Sequence, residues 1–379
     1  MDLHAAYPAL SDVKARAKRR IPHFVWEYLD SATGNERTLE RNRTALDRVL
    51  FEPAVLRGPV TPDLSRRLMG RDYAVPFGIS PVGMSGLIWP DAERLLARYA
   101  ASVGMPYGMS TVASQTPEYV GPCAGDQGWF QLYPPAEPEI RDDMLRRAKD
   151  AGFHTLILTV DVPGPSRRER QTRGGLVQPP VLRGRMIAQA AMCPAWSLGV
   201  LKHGMPRLRF IDSYMKPGGL LPSNAHAGYL LRTSPDWEYL KALRDAWDGP
   251  LVVKGILRAE DAARMEGAGV DAVWVSNHAG RQFDAAPATI EALPAVREAT
   301  KLPVIFDSGI EGGLDVMRAL AMGADFVMLG RAWHYGLAAF GPKGLTHVKE
   351  ILEQDLIANM VQIGANDLAA LRNTAFVVR

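Results

Sequence analysis

The stretch 273–282, VWVSNHAGRQ, places a histidine and an arginine three residues apart at the end of an apolar run. His278 can exchange a proton near neutral pH, and Arg281 offers a planar fork of donors that fits a carboxylate. A short buried strand ending at this pair predicts proton abstraction from an anionic substrate. The plainer alternative is that His278 only caps a strand and that Arg281 pairs with a surface acid.

Most of the other apolar runs in the chain also end in polar residues or glycines. These ends carry Gly83; Ser110 and Thr111; Gln131 and Tyr133; Thr159 and Asp161; Lys254; Asp307 and Gly309; and Gly330 and Arg331. Each of them alone is typical of a satisfied polar group in a core. Together they predict one shared polar ligand site. The last two ends are glycine-rich turns that open helices, where barrels often bind a phosphate.

The elements that position these residues alternate in a regular rhythm. The apolar runs are 77–83, 106–111, 129–133, 155–162, 251–256, 272–278, 304–309 and 326–330. Helical patterns follow most of them, as at 91–102, 139–151 and 313–322, and amphipathic helices are expected over 8–29. Eight strand-plus-helix units predict an α/β fold, a (β/α)8 TIM barrel. An open doubly wound sheet is the alternative, but it usually has fewer strands.

Composition narrows the class of protein. With 379 residues, 47% of them hydrophobic, the chain can bury a large core, and we expect a single domain over 1–379. The net charge of +3 gives no argument for a nucleic-acid partner. Cys123 and Cys193 are the only cysteines, without metal or disulfide spacing, which fits a reducing compartment. No signal-peptide pattern follows the basic run at 14–20, so a cytoplasmic location is expected.

Four motifs resemble one family in order and spacing. They are 276–282 (SNHAGRQ), 129–133 (WFQLY), 158–161 (LTVD) and 253–255 (VKG). They are similar to the signatures of the FMN-dependent L-2-hydroxy-acid dehydrogenases and oxidases, a family that includes bacterial L-lactate and mandelate dehydrogenases. The resemblance extends from about Tyr28 to Arg331. It implies FMN as the cofactor and oxidation of a 2-hydroxy acid to the 2-oxo acid.

The resemblance also implies a role for each matching residue. The catalytic residues would be His278, Asp161, Tyr133 and Arg281. The substrate would be bound by Tyr28, Tyr133, Arg168, His278 and Arg281. FMN would be bound by Val82, Gly83, Ser110, Gln131, Thr159, Lys254, Ser276, Asp307, Gly309, Gly330 and Arg331. In this scheme His278 is the base, Asp161 stabilises its imidazolium, and a lysine beside the flavin stabilises the reduced cofactor.

Two positions depart from the family's pattern. Ala279 stands where the family commonly has glycine, which matters only if the backbone there needs a positive φ. Glu311 stands where the family usually has an arginine on the FMN phosphate. Either Arg331 and helix N-termini hold the phosphate, or Glu311 turns away, or the affinity for FMN is reduced.

The connection 164–249 is too long for an ordinary barrel loop. Within it, 186–201 is nearly all apolar, and Arg183, Arg185, Lys202, Arg207 and Arg209 flank it. This stretch is shorter than a membrane span, and Pro194 interrupts it. The segment 183–209 is expected either to lie in a membrane interface or to pack on the barrel or on a neighbouring subunit. The resemblance favours the membrane, because the segment is similar to the one that anchors the bacterial dehydrogenases.

The resemblance therefore predicts a peripheral enzyme on the inner face of the cell membrane that passes electrons to a quinone. Gly83 favours this acceptor, because oxygen-using relatives generally carry alanine there. A hydrogen-peroxide-forming oxidase is the alternative, and a non-catalytic electron-relay flavoprotein is a more distant one. A homo-oligomer is also expected. Val112 leaves more space than the aromatic residue that glycolate oxidases place at this position.

Overall fold

The computed structural model describes residues 2–176, 184–214 and 233–378. Its strands are, in chain order, β1 (Val49–Phe51), β2 (Arg66–Leu68), β3 (Arg71–Tyr73), β4 (Phe77–Ile79), β5 (Tyr107–Ser110), β6 (Gly128–Leu132), β7 (Thr155–Thr159), β8 (Leu251–Ile256), β9 (Ala272–Val275), β10 (Val304–Phe306), β11 (Phe326–Leu329) and β12 (Ala375–Val377). Strands β4 to β11 close a parallel barrel in which β11 pairs with β4. The predicted TIM barrel is confirmed, and an open sheet is excluded.

Helices surround the barrel and cover its open end. They are α1 (Leu3–Ala6), α2 (Leu10–Arg20), α3 (His23–Asp30), α4 (Arg37–Asp47), α5 (Ser85–Ile88), α6 (Ala92–Ser102), α7 (Pro117–Ala124), α8 (Pro138–Asp150), α9 (Glu169–Gly174), α10 (Gly184–Ala191), α11 (Pro194–His203), α12 (Arg209–Asp212), α13 (Trp237–Ala246), α14 (Ala259–Gly267), α15 (Thr289–Ala299), α16 (Gly313–Ala321), α17 (Arg331–Phe340) and α18 (Lys343–Gln362). The helices predicted over 8–29, 91–102, 139–151 and 313–322 are confirmed as α2 with α3, α6, α8 and α16.

Most barrel strands are shorter than the apolar runs that predicted them. Strand β9 ends at Val275 rather than at His278. The reason is the backbone, because His278 and Ala279 adopt φ values of 55° and 53°, which no strand tolerates. The polar residues predicted at strand ends therefore lie mainly on the first residues of the loops that follow. A loop at that position can aim its side chains back over the barrel.

The opposite end of the barrel is closed by packing. Trp129, Trp274 and Phe326 are fully buried in its interior and contact Leu68 and Tyr73 of the β2–β3 hairpin. A barrel interior filled by large side chains is a core and not a channel. In the described part of the chain, the hairpin end of the barrel is thus filled, and the C-terminal ends of the strands are left for a ligand.

The connection between β7 and β8 forms helices that pack on the N-terminal helices. Trp196 of α11 is buried and donates its indole Nε1–H to the carbonyl oxygen of Leu87. Gln189 of α10 accepts a hydrogen bond from the backbone N–H of Phe24 at 3.1 Å. Arg183, predicted as one of the flanking cations, lies outside the described residues. Among the residues described, no helix is both long and apolar enough to cross a membrane.

Candidate active site

A cavity of about 1440 Å³ lies over the C-terminal ends of the barrel strands. The predicted site residues that line it are Tyr28, Val82, Gly83, Tyr133, Arg168, Lys254, His278, Arg281, Asp307, Gly309, Gly330 and Arg331. The others, Ser110, Gln131, Thr159, Asp161 and Ser276, lie at the same strand ends but do not line the cavity. The structure therefore brings the whole predicted set to one end of the barrel.

His278 and Asp161 form a hydrogen-bonded pair across the cavity wall. Nδ1 of His278 lies 3.1 Å from Oδ1 of Asp161. Burial would raise the pKa of Asp161, but His278 and Lys254 outweigh it and lower that pKa, so Asp161 is ionised and accepts the bond. The Nδ1 of His278 then carries the hydrogen, and Nε2 has a lone pair. Burial, against the pull of Asp161, lowers the pKa of His278, so the imidazole is neutral at pH 7.

The histidine stands on a strained turn. His278, Ala279 and Gly280 all have positive φ, of 55°, 53° and 73°. Side-chain oxygens hold the turn: Ser276 Oγ accepts from His278 N at 3.1 Å, and Ser308 Oγ accepts from Ala279 N at 3.0 Å. The backbone at position 279 therefore does need a positive φ, which is the case in which replacement of the family's glycine matters. Alanine adopts this conformation at a cost in free energy.

Three arginines converge beside this pair. Arg281 donates to the carbonyl oxygens of Tyr28 and Ser31 at 2.8 and 3.0 Å, and Arg331 donates to Ser31 as well. Burial, with Arg168 and Arg331 nearby, lowers the pKa of Arg281 to about 9. Within the described ranges, none of the three forms an ion pair with a carboxylate. Uncompensated positive charge in a cavity favours an anionic ligand.

Two tyrosines complete this part of the cavity. The ring of Tyr28 lies under the Arg281 guanidinium, 5.4 Å from its centroid, and Tyr28 Oη donates to the carbonyl oxygen of Gly83 at 2.7 Å. Tyr133 is close enough to Lys254 and Arg281 to oppose, in small part, the lowering of the pKa of each by burial. Tyr133 therefore lies between the lysine and the arginine cluster.

Lys254 is a buried cation held by carboxylates. Its Nζ donates to Ser276 Oγ at 2.7 Å and lies 3.3 Å from Oδ2 of Asp307. Burial would lower the pKa of Lys254, but Asp307 and Asp161 outweigh that effect and raise it. The lysine therefore remains charged beside the cavity, where it can stabilise negative charge on a ligand.

The site offers polar groups that suit a flavin. Gln131 Oε1 accepts from Ser110 Oγ at 2.8 Å, which directs the amide Nε2 elsewhere. That Nε2 is buried and has no partner among the described residues, so a ligand acceptor would satisfy a donor that is costly to leave unpaired. At the other end, helix α17 begins directly after Gly330, so its free backbone N–H groups can face a phosphate. The residues present therefore fit a flavin mononucleotide.

Two cations at the phosphate end were not predicted as site residues. Lys14 of α2 and Arg43 of α4 line the cavity, and each lies 3.8 Å from a carboxylate oxygen of Glu311. More than half of the Glu311 side chain is exposed. Both cations pair more closely with other carboxylates, Lys14 with Asp30 at 3.1 Å and Arg43 with Asp315 and Asp47, so they offset the charge of Glu311 only in part. Sequence reasoning missed them because both come from N-terminal helices, and the basic run containing Lys14 was considered only as a leader signal.

These features define a barrel whose cavity offers polar groups for a flavin and cations for an anion. Residues 17–378 match the model of the FMN-dependent dehydrogenase family. L-lactate dehydrogenase of Ectopseudomonas mendocina (strain ymp) is 38% identical over 97% of this chain and 98% of its own length. L-lactate dehydrogenase of Caulobacter vibrioides (strain NA1000 / CB15N) is 36% identical over 97% of both chains.

Solved structures agree with these sequence relatives. The crystal structure of the monotopic membrane protein (S)-mandelate dehydrogenase superposes with a TM-score of 0.91 at 34% identity, covering 98% of this chain and 99% of that one. A mandelate oxidase gives a TM-score of 0.80 at 31% identity over 98% and 99% of the two chains. The chain belongs to the FMN-dependent dehydrogenase family. The predicted family, its FMN cofactor and its oxidoreductase class are confirmed.

Proposed function

We propose that this enzyme oxidises an L-2-hydroxy acid to the 2-oxo acid with bound FMN. The observation that carries the proposal is the neutral His278, oriented by Asp161, in the same cavity as the Arg168 and Arg281 cations. A base beside an anion site suits a substrate that bears a carboxylate next to the carbon that reacts. The lactate and mandelate dehydrogenases among the relatives support this substrate class.

The side chains of the cavity would divide the work. Arg168 and Arg281 bind the substrate carboxylate, and their fixed forks orient the neighbouring carbon. Tyr133 hydrogen-bonds the substrate hydroxyl. Oxidation removes two protons and two electrons, and Nε2 of His278 accepts one of the protons while Asp161 stabilises the resulting imidazolium. FMN, when bound, supplies the acceptor for the two electrons and the second proton.

The remaining predicted residues would hold the cofactor. Around the flavin ring these are Val82, Gly83, Ser110, Gln131, Thr159, Lys254 and Ser276. At the ribityl phosphate they are Asp307, Gly309, Gly330 and Arg331. The charged Lys254 would stabilise negative charge on the reduced ring. Lys14 and Arg43, each 3.8 Å from a carboxylate oxygen of Glu311, would limit the repulsion between that carboxylate and the phosphate.

For the electron acceptor we propose a membrane quinone. Met186, Ile187, Val200 and Leu201 of α10 and α11 line the same cavity as His278, and Ile187 and Leu201 are also exposed to solvent. An apolar wall thus leads from the protein surface to the site. A lipophilic acceptor could follow it from a membrane surface.

The apolar face of α10 and α11 would rest on a cytoplasmic membrane surface as a peripheral contact. The solved (S)-mandelate dehydrogenase, described as a monotopic membrane protein, supports this placement. The segment packs on the protein through Trp196, which is one of the two alternatives expected, and its exposed side would make the proposed membrane contact. The homo-oligomer and the single domain over 1–379 remain predictions.

A substrate panel tests the proposed activity. The FMN-loaded enzyme would be mixed without oxygen with L- and D-lactate, (S)- and (R)-mandelate and glycolate, and the visible absorbance of the flavin followed. We expect at least one of the L-configured acids to bleach the flavin with formation of the 2-oxo acid, and its enantiomer to react far more slowly. Absence of bleaching by every acid, with flavin still bound, would contradict the proposal.

A further inference from the structure

A second cluster of ligating side chains lies where α1 packs on α18. It consists of His4 from α1 and of His347 and Glu350 from α18. One ligand atom from each residue lies within 4.8 Å of those of the other two. None of the three lines the cavity of the active site. The spacing of His347 and Glu350, three residues apart on a helix, puts both on one face.

His347 is the least expected member of the cluster. Its side chain is almost completely buried, with 2% of the residue's surface exposed. Nε2 lies 2.8 Å from the carbonyl oxygen of Tyr7, so Nε2 carries the hydrogen and donates it. Nδ1 therefore has the lone pair, yet it is buried and has no partner among the described residues. A histidine whose other ring nitrogen donates to a backbone carbonyl is oriented as metal-binding histidines are.

His4 and Glu350 lie beside His347 on the side of the cluster that faces solvent. Nε2 of His4 lies 2.9 Å from Oε2 of Glu350, and the two side chains are 39% and 43% exposed. The His4 ring meets the His347 ring edge-on, with centroids 4.8 Å apart. Exposed side chains can rotate without disturbing a core, so the three ligand atoms can close to the roughly 3.3 Å spacing of a tetrahedral zinc site.

We propose that His4, His347 and Glu350 bind a divalent transition-metal ion such as Zn²⁺, with water as the fourth ligand. Two imidazoles and one carboxylate suit zinc, nickel or copper, and they offer too few oxygens for Mg²⁺. The ion fastens the N-terminal segment to the C-terminal helix. Helix α2 begins at Leu10, a few residues after Tyr7, and carries Lys14 to the cavity. The metal therefore stabilises the start of the segment that reaches the cofactor end of the site.

Metal titration of the tag-free, FMN-loaded full chain tests this proposal. After treatment with a chelator, Zn²⁺ and Mg²⁺ would be titrated by calorimetry into the parent and into His4→Ala and Glu350→Gln, which change only partly exposed side chains. His23→Ala is the matched control, because His23 is an exposed histidine of α3 that lies 3.8 Å from Glu27, one turn along the same helix and away from the cluster.

We expect the parent to bind one equivalent of Zn²⁺, both cluster variants to bind it at least tenfold more weakly, and His23→Ala to bind as the parent does. Mg²⁺ should not bind at this site. Zinc should also raise the melting temperature of the parent and of His23→Ala more than that of the cluster variants. Lack of stoichiometric zinc binding, or equal affinity in the parent and the cluster variants, would overturn the proposal.

Discussion

Residue by residue, the charges of the site favour a base that is ready to accept a proton. Burial lowers the pKa of His278 in spite of Asp161, so the imidazole stays neutral even below the ordinary histidine pKa. Asp161 stays ionised because its own pKa is lowered. A proton arriving on Nε2 then creates an imidazolium next to a carboxylate. This pairing stabilises the product of proton transfer more than the reactant.

Replacing His278 tests that role. We expect His278→Gln to keep its flavin and to be reduced by substrate some 10²–10⁴-fold more slowly, because the general base is lost. In the parent, the fall of kcat/KM with decreasing pH should have its midpoint below the ordinary histidine pKa, since burial lowers the pKa of His278 and keeps the base neutral to lower pH. Stopped-flow reduction would measure both effects. His154→Gln, at the far end of β7, is the control; reduction of His278→Gln at the parent rate would refute the role.

The strain at Ala279 gives a prediction of stability. A non-glycine residue in the left-handed region destabilises the folded state by about 1–2 kcal/mol, and glycine would remove this strain. Glycine would also give back about half of that benefit, because its unfolded state has more conformational freedom. We therefore expect Ala279→Gly to stabilise the protein by roughly 0.5–1 kcal/mol. Ala263→Gly, on the exposed face of α14, should instead destabilise it by about 1 kcal/mol. Thermal unfolding compares the two, and equal destabilisation by both would mean that the turn is not strained.

At the scale of the elements, the barrel could be predicted from the sequence, but the side chains that the surrounding helices add to the cavity could not. Strands such as β9 and β11 are buried on both faces, so each appears in the sequence as a continuous apolar run. The glycine turn at Gly330 and the motif at His278 also carry local signals. Lys14 and Arg43 carry none, because only the packing of α2 and α4 over the barrel brings them to the cavity.

The segment of α10 and α11 was ambiguous for a related reason. Its second helix, α11, is apolar on nearly all sides, so no periodicity distinguishes the face that packs on the protein from the face that does not. The structure separates them: Trp196 and Val200 are buried, while Leu198 and Leu201 are 65% and 81% exposed. A membrane contact through α11 would therefore be made by the second pair. Removing the whole segment would uncover Phe24 and Leu87 and would not isolate the membrane contact.

Polar substitutions on the exposed face test the membrane contact. We expect Leu198→Ser with Leu201→Ser to reduce binding to anionic phospholipid vesicles at least tenfold, because apolar area that would enter the interface is lost. Flavin reduction by substrate should stay near the parent rate. Leu56→Ser, a fully exposed leucine elsewhere, is the control and should bind vesicles as the parent does. Unchanged vesicle binding by the double variant would contradict a contact through this face.

At the scale of the whole molecule, the proposed site for the hydroxy-acid substrate and the exposed apolar face of α10 and α11 share one cavity. Arg168 and His278 line its polar part, and Ile187 and Leu201 line the part that reaches the surface. The hydrophilic substrate and a lipophilic acceptor would thus approach the flavin through chemically different surroundings. This arrangement would suit transfer of electrons to a membrane quinone rather than to oxygen, and Gly83 lines the same cavity.

The choice of acceptor is the last prediction. We expect the substrate-reduced enzyme to be reoxidised slowly by air-saturated buffer and at least as fast as turnover by a soluble quinone analogue, as stopped-flow mixing would show. A methyl group at Gly83 would lie 2.7 Å from Cγ2 of Val112 and 3.5 Å from Oη of Tyr28, so Gly83→Ala alone would crowd the site. The matched pair is therefore Val112→Ala and Gly83→Ala/Val112→Ala, in which the added methyl has room. If the methyl governs oxygen access, the double variant should react with oxygen faster than Val112→Ala. Reoxidation of the parent by oxygen as fast as turnover would instead make this enzyme an oxidase.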